Sequence, residues 1–203
     1  MASRPQNKSK VKLLDAAMQL IRQKGYAATT VDDICAAAGV TKGSFFHHFK
    51  NKDELGIEAT GQWETMTEAV FGAAPYRSLL DPRDRVLGYV DFRATMLEWD
   101  VQTFTCLLGT MVQEVYTTHP ELRAACNEHM SNHTAKLIDD VEAAKRLYAP
   151  DAPWSAQSLA YYIQSVLQGS FIFAKAKLSA EVAIDSLGHL KRHLETLFPK
   201  TQN

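Results

Sequence analysis

From Val40 to Leu55 the chain reads VTKGSFFHHFKNKDEL. Thr41 is a good helix-capping residue, so the run behind it reads as a helix reaching about Phe49. On such a helix Phe45 and Phe49 lie four apart and share a face with Val40, which assigns them to a core. Phe46, His47 and His48 then point elsewhere, with Lys42, Gly43 and Ser44 near the helix start. These outward types suit the edges of base pairs. Lysine donates to guanine O6 and N7, serine serves several base edges, and phenylalanine offers an apolar surface to a thymine methyl. Lys52 sits at the start of the next helix, where its charge and the backbone amides can hold a phosphate.

The elements that must position these residues are nearly all helical. Prolines 5, 75, 82, 120, 150, 153 and 199 fall near joints rather than inside periodic runs. A first helix is predicted from about Lys10 to Lys24, with Val11, Leu14, Met18 and Ile21 on one face and Gly25 as its stop. Thr30 caps a second, short helix with Asp32 and Asp33 on its positive end, and Gly39 closes it. Asn51, three residues before Glu54, opens a fourth. Two short helices across a glycine turn, behind a supporting helix, form a helix-turn-helix. Further helices are predicted at 52–72, 83–99, 103–117, 120–147, 154–177 and 181–197, giving an all-α chain of about nine helices. The stretch 159–174, LAYYIQSVLQGSFIFA, is apolar almost all round and should be buried on two sides, the second by another copy of the chain. Leu187, Leu190, Leu194 and Leu197 form a stripe that would join the same interface.

Charge is distributed unevenly. Residues 1–52 carry nine Lys or Arg against three Asp, a net of +6, so a chain of formal charge −1 leaves −7 for the remainder. A basic head on an acidic body is expected when one end meets a polyanion. Residues 1–9 read as a mobile basic arm.

The segment GYAATTVDDICAAAGVTKGSFFHHFKNKDEL resembles the DNA-binding signature of the TetR family of transcriptional regulators, a likeness spanning about residues 10–56. The resemblance implies a homodimer with a helix-turn-helix DNA-binding domain over 1–52 and an effector-binding and dimerisation domain over 53–203. It implies a double-stranded DNA operator and a small-molecule effector as partners, most often in a repressor, and no cofactor. Carried over by position, Thr41, Lys42, Gly43, Ser44, Phe46, His47 and His48 face DNA, and Thr30 and Lys52 bind phosphate. Phe46 stands where many members have tyrosine, so van der Waals contact replaces a phenolic hydrogen bond there. The segment TFTCLLGTMVQEVYTTHPELRAA is similar to members that regulate electrophile and aldehyde detoxification.

In the body, large soft residues are candidates to line an effector pocket: Trp63, Met66, Phe92, Met96, Met111 and Phe171, with Lys175 nearby. Cys106 is predicted at a helix start, where backbone amides favour a thiolate that an electrophile could modify. The alternative is a structural Cys106 and a non-covalent hydrophobic ligand. Cys35 and Cys126 read as structural. The body carboxylates Glu114 and Glu142 show no partner by spacing. His129 with His133, and His189 with His193, have a spacing that can bind a metal. No third ligand is evident, so they read as solvated helix faces and no metal is expected.

Three irregularly spaced cysteines argue against a disulfide framework and for a reducing cytoplasm. There is no apolar leader and no membrane-length apolar run, so no membrane is expected as a partner. A glycine-rich nucleotide loop, an HExxH and a nucleophile elbow are all missing, which argues against an enzyme. The acidic body argues against a DNA-packaging protein.

Overall fold

The computed structural model describes residues 8–200. Residues 1–7 of the expected basic arm lie outside the described residues. Among those described there are ten α-helices and no strand: α1 (Lys8–Lys24), α2 (Val31–Ala38), α3 (Lys42–His48), α4 (Lys52–Gly72), α5 (Pro82–Thr95), α6 (Val101–Phe104), α7 (Leu107–Val115), α8 (Pro120–Tyr148), α9 (Ala156–Lys177) and α10 (Glu181–Leu197). The chain is all-α, as predicted. No described helix is long and apolar enough to cross a membrane.

Two compact units divide the chain. One comprises residues up to Thr67 together with Cys106–Met130; the other comprises Glu68–Thr105 and Ser131 onward. The first, called the head unit below, is built on a single apolar cluster. Leu13, Leu14, Ala17 and Ile21 of α1, Ile34 of α2 and Phe45 of α3 meet Leu107 and Met111 of α7. At roughly 25 cal/mol per Å² of apolar area, each of the larger side chains (Leu, Ile, Phe or Met) stabilises the fold by about 1.5–3 kcal/mol.

Where helices stop, the sequence supplies local reasons. Gly25 adopts φ +91° and Gly39 φ +63°, left-handed values that a side chain disfavours. Gly39 N–H closes α2 on the carbonyls of Ala36 and Cys35. Thr41 Oγ1 accepts from Ser44 N at 3.1 Å and starts α3. Asn51 Oδ1 accepts from Glu54 N at 2.8 Å while Glu54 accepts from Lys50 N, fixing the start of α4.

Two expectations need correction. The segment predicted as one helix over 103–117 is two, because Thr105 (ψ 149°) and Cys106 (ψ 127°) are extended. Hydrophobic periodicity cannot report a two-residue break that contains neither glycine nor proline. The stripe Leu187, Leu190 and Leu194 of α10 is buried by its own unit, against α5 and α9, rather than offered to an interface. In α9, by contrast, Leu159, Ile163, Leu167, Phe171 and Ala174 are buried within the chain itself, while the apolar Tyr161, Tyr162, Ile172 and Phe173 remain exposed on another face.

Candidate functional site

The turn between α2 and α3 carries the first site. Phe45 and Phe49 are fully buried, and neighbouring Phe46 is 53% exposed, so the doubled aromatics do divide inward and outward. Thr41, Lys42, Gly43, Phe46 and His47 are all exposed on one short helix and its cap. Ser44 is half-buried. His48 is turned toward α1, where its Nε2 lies 2.8 Å from Ser9 Oγ, and burial lowers its pKa. Lys42 Nζ stands 2.9 Å from Asp32 Oδ1 with both side chains largely in water. Such exposed pairs are worth under about 1 kcal/mol, so the lysine can exchange its partner cheaply. An alanine Cβ at Gly43 would meet nothing closer than Thr41 Oγ1 at 3.8 Å. Nothing inside the protein therefore requires glycine there, although glycine in a helix costs about 1 kcal/mol against alanine.

Thr30 and Lys52 hold this turn from behind. Thr30 Oγ1 accepts from Asp33 N, and Asp33 Oδ2 accepts from the Thr30 N–H and hydroxyl, a reciprocal capping box. The ammonium of Lys24, 2.7 Å away, and these bonds keep the Asp33 carboxyl well below the usual carboxylate range. Lys52 Nζ donates to the carbonyls of Tyr26 (2.9 Å) and Thr29 (3.0 Å) and lies 4.2 Å from the Tyr26 ring centre. Its pKa is lowered by burial. Lys52 thus ties the start of α4 to the α1–α2 loop.

Glu114 has two partners despite showing none in the sequence. Its Oε1 accepts from Tyr26 N at 3.1 Å and its Oε2 from Ala27 N at 2.8 Å, so α7 grips the α1–α2 loop by its backbone. A Cβ on Gly25 would come within 2.4 Å of Glu114 Oε1, which explains that glycine twice over. Tyr26 hydroxyl donates to Asp53 in a short bond, and His119 Nε2 stands 3.7 Å from the same carboxylate. No spacing rule reaches 87 or 88 residues along the chain, so Glu114 was invisible beforehand.

The second unit carries a cleft of about 230 Å³ whose walls include Phe71, Tyr76, Arg77, Tyr89, His133 and Asp140. The Tyr89 hydroxyl lies 3.0 Å from His133 Nε2 and accepts from Gln164 Nε2 at 2.8 Å. Burial first, and then the charges of Arg93, Lys136 and Arg77, bring the His133 pKa down to about 4. The imidazole is therefore neutral at pH 7. Burial pushes the Tyr76 hydroxyl up to about 12.

The residues expected to line an effector pocket separate into two groups. Phe92, Met96 and Phe171 belong to the second unit and gather near Arg93, whose guanidinium lies 5.1 Å from the Phe171 ring centre. Phe92 also packs its ring on Phe71 and Tyr76. Lys175 is half-buried in α9. Trp63, Cys106 and Met111 belong to the head unit. Met111 is fully buried in its core, Trp63 lies under the Arg22 guanidinium at 5.0 Å, and Met66 is exposed on α4. Cys106 is the N-cap of α7, half-buried, with Sγ accepting from Gly109 N at 3.4 Å. Cys126 is buried and its thiol is pushed up to about 12. His129 pairs with Glu64 at 2.6 Å and His133 lines the cleft, so neither is a solvated face as expected. The described residues hold no cluster of three or more His, Cys, Asp or Glu suited to a metal.

Two short helices across a glycine turn, packed on a supporting helix, with the outer face of the second in water, define a helix-turn-helix DNA-binding protein. Residues 13–59 match the family described as bacterial regulatory proteins, tetR family. The chain is similar to the transcriptional regulator AcuR of Cereibacter sphaeroides, 27% identical and covering 91% of this chain and 84% of that one. It is 26% identical to the transcriptional repressor DhaR of a Mycobacterium species (94% and 93% covered) and 24% to the repressor NemR of Escherichia coli (91% and 92%). Among solved structures, a regulatory protein TetR from Rhodobacter sphaeroides superposes with a TM-score of 0.81 at 24% identity, covering 95% of this chain and all of that one. Residues 13–59 therefore form a DNA-binding domain of the tetR family, and the chain as a whole is similar to transcriptional regulators of that family.

Proposed function

We propose that this regulator is a ligand-responsive repressor. As a homodimer it sets two copies of α3 in successive major grooves of a pseudo-palindromic operator, and a small effector in the cleft of the second unit releases it. It would act in the cytoplasm, where the operator lies. The observation carrying the DNA half is the outer face of α3: Lys42, Gly43, Phe46 and His47 are exposed together, no internal contact requires glycine at 43, and Phe46 stays 53% exposed with only its edge-to-face contact on Phe45. Thr41 shares that face as its cap. Thr30 and Lys52 act behind it by holding the turn, and a phosphate would reach them through the backbone they fix. The expected result in operator titration is that Lys42→Ala weakens binding by roughly 1–3 kcal/mol, as for a lost base contact. A Lys42→Ala variant with wild-type affinity would remove α3 from the interface.

Support for the dimer comes from the unpartnered face of α9. Tyr161, Tyr162, Ile172 and Phe173, with Ile184 of α10, are 45–60% exposed, a large apolar group for a surface in water. Phe173→Glu places a charge on that face without entering the core. It should convert a dimer to a folded monomer in light scattering. A wild-type monomer at micromolar concentration contradicts the reading.

A second reading keeps Cys106 as a sensor of electrophiles. Its favouring observation is a half-buried thiol on the amides of α7, a helix that also grips the α1–α2 loop through Glu114. Alkylation would then release operator from the wild type but not from Cys106→Ser. Mass spectrometry that finds Cys106 unlabelled in the folded protein leaves the non-covalent cleft as the effector site.

A further inference from the structure

The charges that line the cleft of the second unit cancel. Arg77 pairs with Asp140 at 2.9 Å and Lys136 pairs with Glu68, so each cation there already has its carboxylate. A charged ligand would break one of these pairs or leave its own charge uncompensated in a half-buried wall, and either is costly. Two neutral groups are differently placed. Tyr76 is 5% exposed and lines the cleft, yet among the described residues its hydroxyl has no hydrogen-bond partner. Nor is that hydroxyl one of the unpartnered polar atoms sealed from solvent, so it opens into the cleft. His133 is the second group. Gln164 Nε2 donates to the Tyr89 hydroxyl at 2.8 Å, which turns the single hydroxyl hydrogen toward His133 Nε2, 3.0 Å away. The neutral imidazole then carries its proton on Nδ1. That N–H has no partner among the described residues either, and it too is not sealed from solvent. Burial keeps both groups neutral at pH 7, with Tyr76 raised to about 12 and His133 lowered to about 4.

Both donors stand beside aromatic surface. The Tyr76 and His133 ring centres lie 5.9 and 6.0 Å from that of Tyr89, and Phe71 packs edge-on against His133 at 4.8 Å. A volume of about 230 Å³ exceeds the ~150 Å³ that accommodates benzene in an engineered cavity. It holds one ring with a small substituent. An apolar ligand of that size would strip water from the two donors and leave them unpaired, so a ligand that brings an acceptor is favoured over its hydrocarbon analogue. We propose that this cleft takes a small, uncharged aromatic carbonyl compound, its ring against Phe71 and Tyr89 and its oxygen accepting from the Tyr76 hydroxyl and the His133 Nδ1–H. Tyr89 and Gln164 are then positioning residues that set the imidazole tautomer. The proposal rests on the reading of this cleft as the effector site and adds the chemical class.

Matched single-ring probes test it. Acetophenone, methyl benzoate and benzamide carry the carbonyl, ethylbenzene lacks it, and benzoate and benzylammonium add a charge. Each is titrated calorimetrically into the full-length protein. At least one carbonyl compound should bind roughly ten-fold or more tightly than ethylbenzene and than either ion. Tyr76→Phe should cut that preference several-fold and leave ethylbenzene binding unchanged. Its thermal stability should match the wild type, because the hydroxyl bonds nothing inside the protein, whereas a structural hydroxyl would move stability and spare the preference. Wild-type carbonyl binding in Tyr76→Phe, ethylbenzene or an ion binding as tightly as the carbonyl compounds, or no binding by any of the three overturns the assignment. Operator titrations with the same compounds separate the two ideas. If only an ion binds and releases DNA, the effector reading stands and the carbonyl proposal falls. If a carbonyl compound binds through Tyr76 and operator affinity is unchanged, the carbonyl site stands and the effector reading falls.

Discussion

The head unit and the cleft-bearing unit use polar residues in opposite ways. In the head, charged and hydroxyl groups are spent on the backbone: Glu114 on two amides, Lys52 on two carbonyls, Thr30 and Asp33 on each other. The result is a turn fixed from behind, with α3 presented over a continuous apolar cluster. In the second unit, polar groups are gathered around a cavity and paired with one another, Asp140 with Arg77 and Arg85, Glu68 with Lys136, and Tyr89 with His133 and Gln164. A surface that must read a rigid duplex gains from preorganisation, because ordering it on binding would subtract from affinity. An effector site, as proposed for this cleft, must interact with its ligand differently in two states, since only a differential interaction shifts an equilibrium.

The largest effect that would break this contrast is in the head core. Phe45 is fully buried, so Phe45→Ala should cost about 3–5 kcal/mol and abolish operator binding, read by chemical denaturation and titration. Retained stability would mean that the cluster does not support α3. Next comes the neutral His133. Its folded pKa of about 4 lies below the usual 6.5, so between those values the unfolded state binds more protons. Stability should fall as pH drops from 6.5 toward 4, by roughly 2–3 kcal/mol from this group, and His133→Gln should remove that part of the slope. An unchanged slope would place His133 in water.

Glu114→Ala should cost roughly 2 kcal/mol by leaving the Tyr26 and Ala27 amides unpaired, and should speed hydrogen exchange at those two amides. Exchange as slow as in the wild type would show that other contacts hold the loop. The smallest effect is also the most selective. Gly43→Ala has open space and a helical setting, so it should raise stability by up to about 1 kcal/mol while weakening operator binding. Gains in both stability and affinity would show that no partner approaches the α3 backbone at that point.

The same contrast decides how much was legible in the sequence. The head announces itself locally: Thr30, Gly39, Thr41 and Asn51 each act within five residues of their own position, and Phe45 and Phe49 share a face by simple periodicity. Lys52 was visible by position but not by role, because its carbonyl partners lie 23 and 26 residues away. The cleft is assembled from α4, the turn Pro75–Ser78, α5 and α8, so no single window contains it. None of the large body residues singled out in the sequence lines it: Phe92 packs behind the wall on Phe71 and Tyr76, Met96 and Phe171 lie elsewhere in the second unit, and Met111 packs in the head. Leu167 and the leucines of α10 show the limit of apolar patterning: it counts how much of a helix must be covered and does not say whether the same chain covers it.

The central claim is that the fixed turn presents α3 to DNA. Its most direct test is operator binding by fluorescence anisotropy at several salt concentrations, comparing wild type with Lys42→Ala and following thermal stability alongside. The account predicts a loss of roughly 1–3 kcal/mol in affinity, a salt dependence reduced by up to about one counterion per head, and unchanged stability, since Lys42 makes only an exposed pair with Asp32. Wild-type affinity and salt slope in Lys42→Ala would contradict it.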